Sequence, residues 1–175
     1  MARRICLIVL VVVLLGCGAY TKPARHLPRD TGQKPEILGF YAAQVIRPGE
    51  TWKVYLALRD LDCDMTYIVA DLWQAGVGSQ AISFTPVAKP GCPEVTGYLF
   101  LNTPPDQSLI QDYFELKLFV RDRRENRSRS IKLPLSFDWV AAHKTPKYWQ
   151  AASVQQFGSI QADLISSERS SLGGN

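Results

Sequence analysis

Histidine is scarce in this sequence, and the motifs that organise common catalytic sites are missing. The two histidines, His26 and His143, lie in segments without a clear strand or helix pattern, so neither has a scaffold to hold it beside a nucleophile. The sequence also lacks a glycine-rich phosphate loop after a strand, an HExxH motif and a CxxC pair. We therefore expect a protein that is not an enzyme.

Long apolar runs are absent too, apart from one at the N-terminus. Residues 5–15 form an apolar run of eleven residues, shorter than the about 20 residues that cross a bilayer as a helix. The run follows Arg3 and Arg4 and ends at Gly16, a pattern typical of an export signal. We predict a signal peptide over residues 1–16 and a location outside the cytoplasm. The two leader arginines supply half of the formal net charge of +4, so no nucleic-acid partner is indicated.

Cys17 directly follows Leu14-Leu15-Gly16, and this tetrapeptide resembles the lipobox of bacterial lipoproteins. The resemblance implies cleavage before Cys17, acylation of its thiol and anchoring in membrane lipid. The alternative is a conventional signal peptide with a cysteine beside its cleavage site. Gly18, in place of an aspartate, resembles lipoproteins of the outer membrane of Gram-negative bacteria and favours that membrane over the inner one.

The other cysteines divide by position. Cys6 lies in the predicted leader, and with Cys17 assigned to lipid only Cys63 and Cys92 remain. Two remaining thiols in an oxidising compartment usually form a disulfide, so we predict a Cys63–Cys92 bridge. Residues 17–35 contain three prolines and few groups to bury, which predicts a flexible linker.

Residues 36–138 show short runs of period two separated by turn residues. Apolar side chains recur on one face over residues 51–59, 113–121 and 129–137, as in half-buried strands. Less regular candidates cover residues 37–45, 65–73, 80–87 and 95–101. Seven short strands predict an all-β fold, a seven-stranded antiparallel sandwich. Pro134 cannot donate a backbone hydrogen bond, so the last strand should lie at an edge or carry a bulge.

The run Asp122-Arg-Arg-Glu-Asn126-Arg-Ser128 precedes that last strand. It resembles the Asp-x-x-Gly-Asn-x-Ser turn of many bacterial immunoglobulin-like and fibronectin-type-III-like modules, with Glu125 in the glycine position. The Pro-Gly turn before Trp52 is similar to the first hairpin of such modules. The resemblance implies an immunoglobulin-like sandwich over residues 36–138.

Strands that reverse direction one after another would place the turns at 60–64, 90–94 and 122–126 at the same end of the sandwich. Cys63 would then meet Cys92. The same end would gather five oxygen-bearing side chains as a candidate site for calcium, the one cofactor that we consider: Asp60, Asp62, Asp64, Asp122 and Asn126.

Five arginines occur within nine residues, at 121, 123, 124, 127 and 129. They offer an alternative to calcium, because they could neutralise the aspartates as exposed ion pairs, and we favour this alternative. The arginines could also meet lipid headgroups or anionic polysaccharide, although a charge run at a hairpin is more often a solvated turn.

Residues 139–175 form the predicted C-terminal tail. Apolar residues recur there at spacings of three or four, which predicts a short amphipathic helix within 147–165 and a disordered serine- and glycine-rich end. That helix would either pack on the sandwich or dock on a partner through Trp149 and Phe157.

Two function hypotheses follow. The first is a lipid-anchored, extracytoplasmic module of a bacterial envelope that binds a protein partner without catalysis. The second is a carbohydrate-contacting module. It would use Tyr67 and Trp73, which lie on the strand face opposite Ile68 and Leu72, as a stacking platform for a glycan.

Overall fold

A computed structural model describes residues 32–87, 92–151 and 154–166. The predicted signal peptide, Cys17, most of the predicted linker and the predicted disordered end lie outside these residues. The described chain forms nine strands: β1 (Glu36–Ala42), β2 (Val45–Ile46), β3 (Thr51–Arg59), β4 (Met65–Gln74), β5 (Gly78–Pro86), β6 (Glu94–Asn102), β7 (Tyr113–Asp122), β8 (Ile131–Phe137) and β9 (Gln155–Ser159). Short 3-10 helices cover Gln107–Gln111 and Lys147–Gln150. None of the helices in this part of the chain is both long and apolar enough to cross a membrane.

The strands form two sheets, which confirms the predicted all-β fold. One sheet has four strands in the order β1-β3-β6-β9, and the other has five in the order β2-β8-β7-β4-β5. Consecutive strands lie in different sheets except in two pairs, β4 with β5 and β7 with β8. This distribution of strands gives an immunoglobulin-like β-sandwich.

Period-two patterning accounts for the core between the sheets. On β3, Trp52, Val54, Leu56 and Leu58 are all buried, and on β7 the inward side chains from Phe114 to Val120 are completely buried. Each such side chain contributes about 1.5–3 kcal/mol when it leaves water. The buried indole of Trp52 also donates from Nε1 to the carbonyl oxygen of Ala43, at 2.7 Å. This bond satisfies the one polar group that the ring brings into the core.

The seven predicted strands are all present, but the prediction of seven antiparallel strands was wrong in count and direction. β2 continues the first predicted strand into the opposite sheet, where it pairs with β8 in parallel. β9 pairs with β6, also in parallel. Because β2 reaches only Ser136 and Phe137, the outer side of β8 at Pro134 has no strand partner within the described residues. Pro134 therefore lies at an edge, as its missing N–H predicts.

The predicted helix within 147–165 was also wrong. The segment forms one 3-10 turn at Lys147–Gln150 and then the strand β9. The free edge of β6 supplies hydrogen bonds that outweigh a local helical preference. Glycine makes the close approach possible, because a Cβ added to Gly97 would lie 2.6 Å from Cζ of Phe157. After β9, Ile160 and Leu164 are buried in the main core.

Candidate functional site

Three turns meet at one end of the sandwich, which we call the disulfide end: residues 60–64, 92–94 and 122–126. Cys63 and Cys92 are bonded, with their Cα atoms 5.5 Å apart, which confirms the predicted bridge. The Asp60 N–H donates to the Pro93 carbonyl at 2.8 Å, and the Arg123 N–H donates to the Asp64 carbonyl at 2.9 Å. The disulfide end is thus tied together by one covalent bond and by main-chain hydrogen bonds.

Asp60 and Asp122 stabilise their own turns from within. The carboxylate of Asp122 accepts from the backbone N–H groups of Arg124 and Asn126, each at 2.8 Å. The carboxylate of Asp60 accepts in the same way from the N–H groups of Asp62 and Asp64. Both aspartates are 1% exposed. Their oxygens therefore point into the turns and away from solvent.

Asp62, Asp64 and Arg124 form the charged surface of this end. Nη1 of Arg124 lies 3.1 Å from Oδ2 of Asp62, and its Nε lies 3.8 Å from Oδ2 of Asp64. Burial raises the pKa of Asp64, the carboxylates of Asp122 and Asp60 raise it further, and Arg124 opposes them. Oδ1 of Asp64 is buried and has no hydrogen-bond partner among the described residues.

The structure brings all five candidate calcium ligands to the disulfide end, but in different roles. Asn126 donates from Nδ2 to Oδ2 of Asp122 at 2.8 Å, so these two side chains bond to each other. Asp62 accepts from Arg124 and from the Gln33 N–H. Within residues 32–87, 92–151 and 154–166, no three acidic, histidine or cysteine side chains are grouped as metal ligands. Arg124 is the arginine that forms ion pairs with two of the five candidates, Asp62 and Asp64.

The outer side of β4 and β5 carries exposed aromatic and aliphatic side chains. Tyr67 and Trp73 are each 43% exposed, while Ile68 and Leu72 on the opposite side of β4 are completely buried. On β5, Ile82 and Phe84 pair with Asp71 and Val69 of β4 and share the same side of the sheet. We call the exposed set Tyr67, Trp73, Ile82 and Phe84 the β4–β5 face.

The orientation of β5 was not foreseen from the sequence. Ile82 and Phe84 are each 56% exposed, whereas Ser83 and Thr85 point inward and are buried. The main chain of Gln161 holds Ser83, since its N–H donates to the Ser83 hydroxyl at 2.7 Å. A Cβ added to Gly158 would lie 2.7 Å from Cγ2 of Thr85. β9 and the segment after it thus leave room only for small side chains beside Ser83 and Thr85 on the inner side of β5.

Trp149 and Phe157 pack within the chain. Trp149 is 8% exposed and lies 5.8 Å from Tyr55, centroid to centroid, on the outer side of the four-stranded sheet. Phe157 is half-buried next to the main core. Among the four aromatic residues predicted to bind partners, Tyr67 and Trp73 are therefore the more exposed.

Comparison with known proteins adds little to this description. No family model matches the chain, and no curated protein matches it. The PKD domain of an M14-like peptidase from Thermoplasmatales archaeon SCGC AB-540-F20 is similar at 12% identity and TM-score 0.39, over 61% of this chain and 97% of that domain. The sporulation control protein Spo0M from Bacillus subtilis is similar at 11% identity and TM-score 0.39, over 63% and 51% of the two chains. The CARDB domain of a Pyrococcus furiosus protein, solved with di-metal ions, is similar at 10% identity and TM-score 0.33, over 59% and 90%. Similarities at this level assign no activity or ligand to the chain.

Proposed function

We propose that this chain is a lipid-anchored, extracytoplasmic, non-catalytic binding or assembly module of a bacterial envelope, and that the β4–β5 face binds a protein partner. The observation that carries the proposal is the orientation of β5. Its two largest apolar side chains, Ile82 and Phe84, face solvent, while Ser83 and Thr85 face the interior. Contiguous exposed apolar side chains of this kind mark interaction surfaces.

The two outer sides of the sandwich differ in a way that supports this assignment. On the four-stranded sheet, Trp149 covers Tyr55 and Ala57, so the chain itself occupies that surface. On the five-stranded sheet, the rings of Tyr67 and Phe84 pack edge to face with their centroids 6.3 Å apart, and both side chains remain exposed. Aromatic side chains held by their neighbours are typical anchors of protein–protein interfaces.

The proposed anchor and location rest on the sequence of residues 1–17 and are supported by the Cys63–Cys92 bridge, since structural disulfides persist mainly outside the reducing cytoplasm. Metabolic labelling with an alkyne fatty acid tests the anchor. Label should be incorporated into the wild-type protein and lost in Cys17→Ser. Label that persists in Cys17→Ser would refute the lipid assignment.

Photo-crosslinking in the native envelope tests the β4–β5 face. A photoreactive residue at position 84 should give a discrete protein adduct, and Ile82→Lys in the same chain should remove it. Leu38 on β1 is 44% exposed and provides a matched control on the other sheet. Equal adducts from positions 84 and 38, or none from position 84, would exclude this face as the binding surface.

A carbohydrate-contacting role is the second candidate, because Tyr67 and Trp73 are exposed on the same face. A glycan would bind through the flat face of Trp73, so Trp73→Ala should abolish binding on a glycan array. Loss of glycan binding in Trp73→Ala, together with no protein adduct at position 84, would favour this candidate.

A further inference from the structure

A cleft of about 960 Å³ lies at the disulfide end, between residues 33–37 and residues 127–131. Three cations line it, Lys34, Arg127 and Arg129, and all three are exposed. The single lining carboxylate, Glu36, lies 4.0 Å from Arg59, which it shares with Glu94 at 2.7 Å. None of the three cations forms an ion pair with another described residue. The charge of the cleft is therefore suited to an anion.

Main-chain and side-chain contacts hold the arginine-bearing wall in place. Ser128 accepts from the Val120 N–H at 2.9 Å and donates to the Arg129 carbonyl at 3.0 Å, which fixes the backbone between the two arginines. The guanidinium of Arg127 lies 5.1 Å from the centroid of the Phe119 ring. Stacking uses the face of a guanidinium and leaves its N–H edges for a planar or tetrahedral oxyanion such as phosphate.

The carboxylates of the disulfide end do not compete for this surface. Asp60 and Asp122 are buried as turn acceptors, and Asp62 and Asp64 both form ion pairs with Arg124. Leu61, at the tip of its turn, is 57% exposed. Outward-facing arginines and an exposed leucine at the same end of a domain suit the interface of an anionic membrane.

The first described residues lie at the same end of the sandwich. The Gln33 N–H donates to Oδ2 of Asp62 at 2.7 Å, so Gly32 and Gln33 lie at the disulfide end. Cys17 precedes Gly32 by fifteen residues, which span at most about 50 Å when fully extended. A domain anchored to the membrane meets lipid headgroups at a high effective concentration. A weak affinity of the cleft for a single headgroup is then sufficient for binding.

We propose that the cleft lined by Lys34, Arg127 and Arg129 binds the phosphate of anionic lipid headgroups and holds the disulfide end against the membrane. The orientation of the domain rests on the lipid anchor of the proposed function, whereas headgroup binding by the cleft does not. In this orientation the β4–β5 face runs away from the membrane along the side of the sandwich and stays accessible to a partner.

Co-sedimentation with vesicles tests the proposal without the anchor. The fragment from Thr31 to Asn175 contains all the described strands and the whole described core, so it can be used alone. It should bind phosphatidylcholine vesicles that contain phosphatidylglycerol and should not bind pure phosphatidylcholine. Arg127→Gln with Arg129→Gln should weaken binding by about 30-fold, the change that corresponds to about 1 kcal/mol for each basic residue at an anionic surface.

The matched control is Lys144→Gln with Lys147→Gln, which removes the same charge from exposed positions in the C-terminal segment. This control should retain nearly full vesicle binding, and the melting temperature of both double variants should match that of the wild type. Equal losses in the two double variants, or equal binding to both kinds of vesicle, would overturn the proposal. Full displacement from vesicles by millimolar inorganic phosphate would instead assign the cleft to a soluble phosphate ligand. Failure of this experiment would leave the labelling of Cys17 and the crosslinking of position 84 unaffected.

Discussion

Asp60 and Asp122 occupy equivalent positions in two turns that contact each other at one end of the sandwich. In each turn the aspartate side chain accepts from the backbone N–H groups two and four residues later. In each turn the third residue after the aspartate has a positive φ, 60° at Cys63 and 70° at Glu125. The likeness explains how a glutamate occupies the glycine position of the turn, because the hydrogen bonds of Asp122 offset the cost of the left-handed conformation.

The first prediction concerns the buried carboxylate of Asp122. Asp122→Ala removes three hydrogen bonds and leaves the N–H groups of Arg124 and Asn126 without their acceptor. We expect the free energy of unfolding to fall by about 1.5–3 kcal/mol, the range for hydrogen bonds to a charged group. Urea denaturation measures this free energy. Asp163→Ala, at an exposed position, is the control, and an equally small effect in both variants would contradict the capping role.

The second prediction concerns the Cys63–Cys92 bridge, whose cysteines are 29 residues apart in sequence. The double variant Cys63→Ser and Cys92→Ser should lower the free energy of unfolding by about 3–4 kcal/mol, because the unfolded chain regains the freedom that the closed loop removes. The far-ultraviolet circular dichroism spectrum should stay unchanged below the transition. Two free thiols found by mass spectrometry in the exported protein would refute the bridge.

The third prediction concerns the pKa of Asp64. Burial of the carboxyl group is the largest cause of its raised pKa. The folded state then holds the Asp64 proton to a higher pH than the unfolded state does, so Asp64 contributes less stability as pH rises through the window between the two pKa values. Asp64→Asn cannot ionise. Its free energy of unfolding, relative to wild type, should therefore rise across that window and level off above it. A flat difference in urea titrations between acidic and neutral pH would contradict the pKa shift.

The fourth prediction separates calcium from ion pairs at the disulfide end. A calcium ion bound only by the folded state would add about 2.7 kcal/mol at a hundredfold excess over its dissociation constant. We expect no such gain, because Asp60 and Asp122 already accept from their own turns. The melting temperature should be indifferent to millimolar calcium and to chelator, and should fall modestly with salt. A chelator-induced fall that Asp60→Asn abolishes would establish a calcium site instead.

The strands of the core could be predicted from the sequence. Apolar and polar residues alternate along them, so only one orientation of each strand buries all of its apolar side chains. Trp52 to Leu58 and Phe114 to Val120 are buried as the period indicates. The proximity of Cys63 and Cys92 could be predicted from a similarly simple rule. When each strand reverses the direction of the one before it, every second turn lies at the same end of the sandwich. Neither prediction needed a contact between distant residues to be known in advance.

The strands β5 and β9 could not be predicted in the same way, because distant contacts decide them. Alternation alone would bury Ile82 and Phe84, yet the main chain of Gln161, 78 residues after Ser83, occupies the inner side of β5. The helical spacing after Val154 is likewise overridden by the edge of β6, where Gly97 admits the ring of Phe157. The β4–β5 face therefore depends on where the C-terminal segment docks.

The last prediction tests that docking through Trp149. Its ring is 8% exposed and lies against Tyr55, so Trp149→Ala should lower the free energy of unfolding by about 3 kcal/mol, the lower end of the range for buried aromatic truncations. Tyr148→Ala is the matched control, because Tyr148 is its neighbour and is 64% exposed, and the expected change is within about 0.5 kcal/mol. Hydrogen exchange should show faster exchange in residues 147–151 of Trp149→Ala, while β3 and β7 stay protected. A change in Trp149→Ala as small as that in Tyr148→Ala would mean that the segment before β9 contributes no stability, and that β9 and the residues after it hold the C-terminal segment on the sandwich.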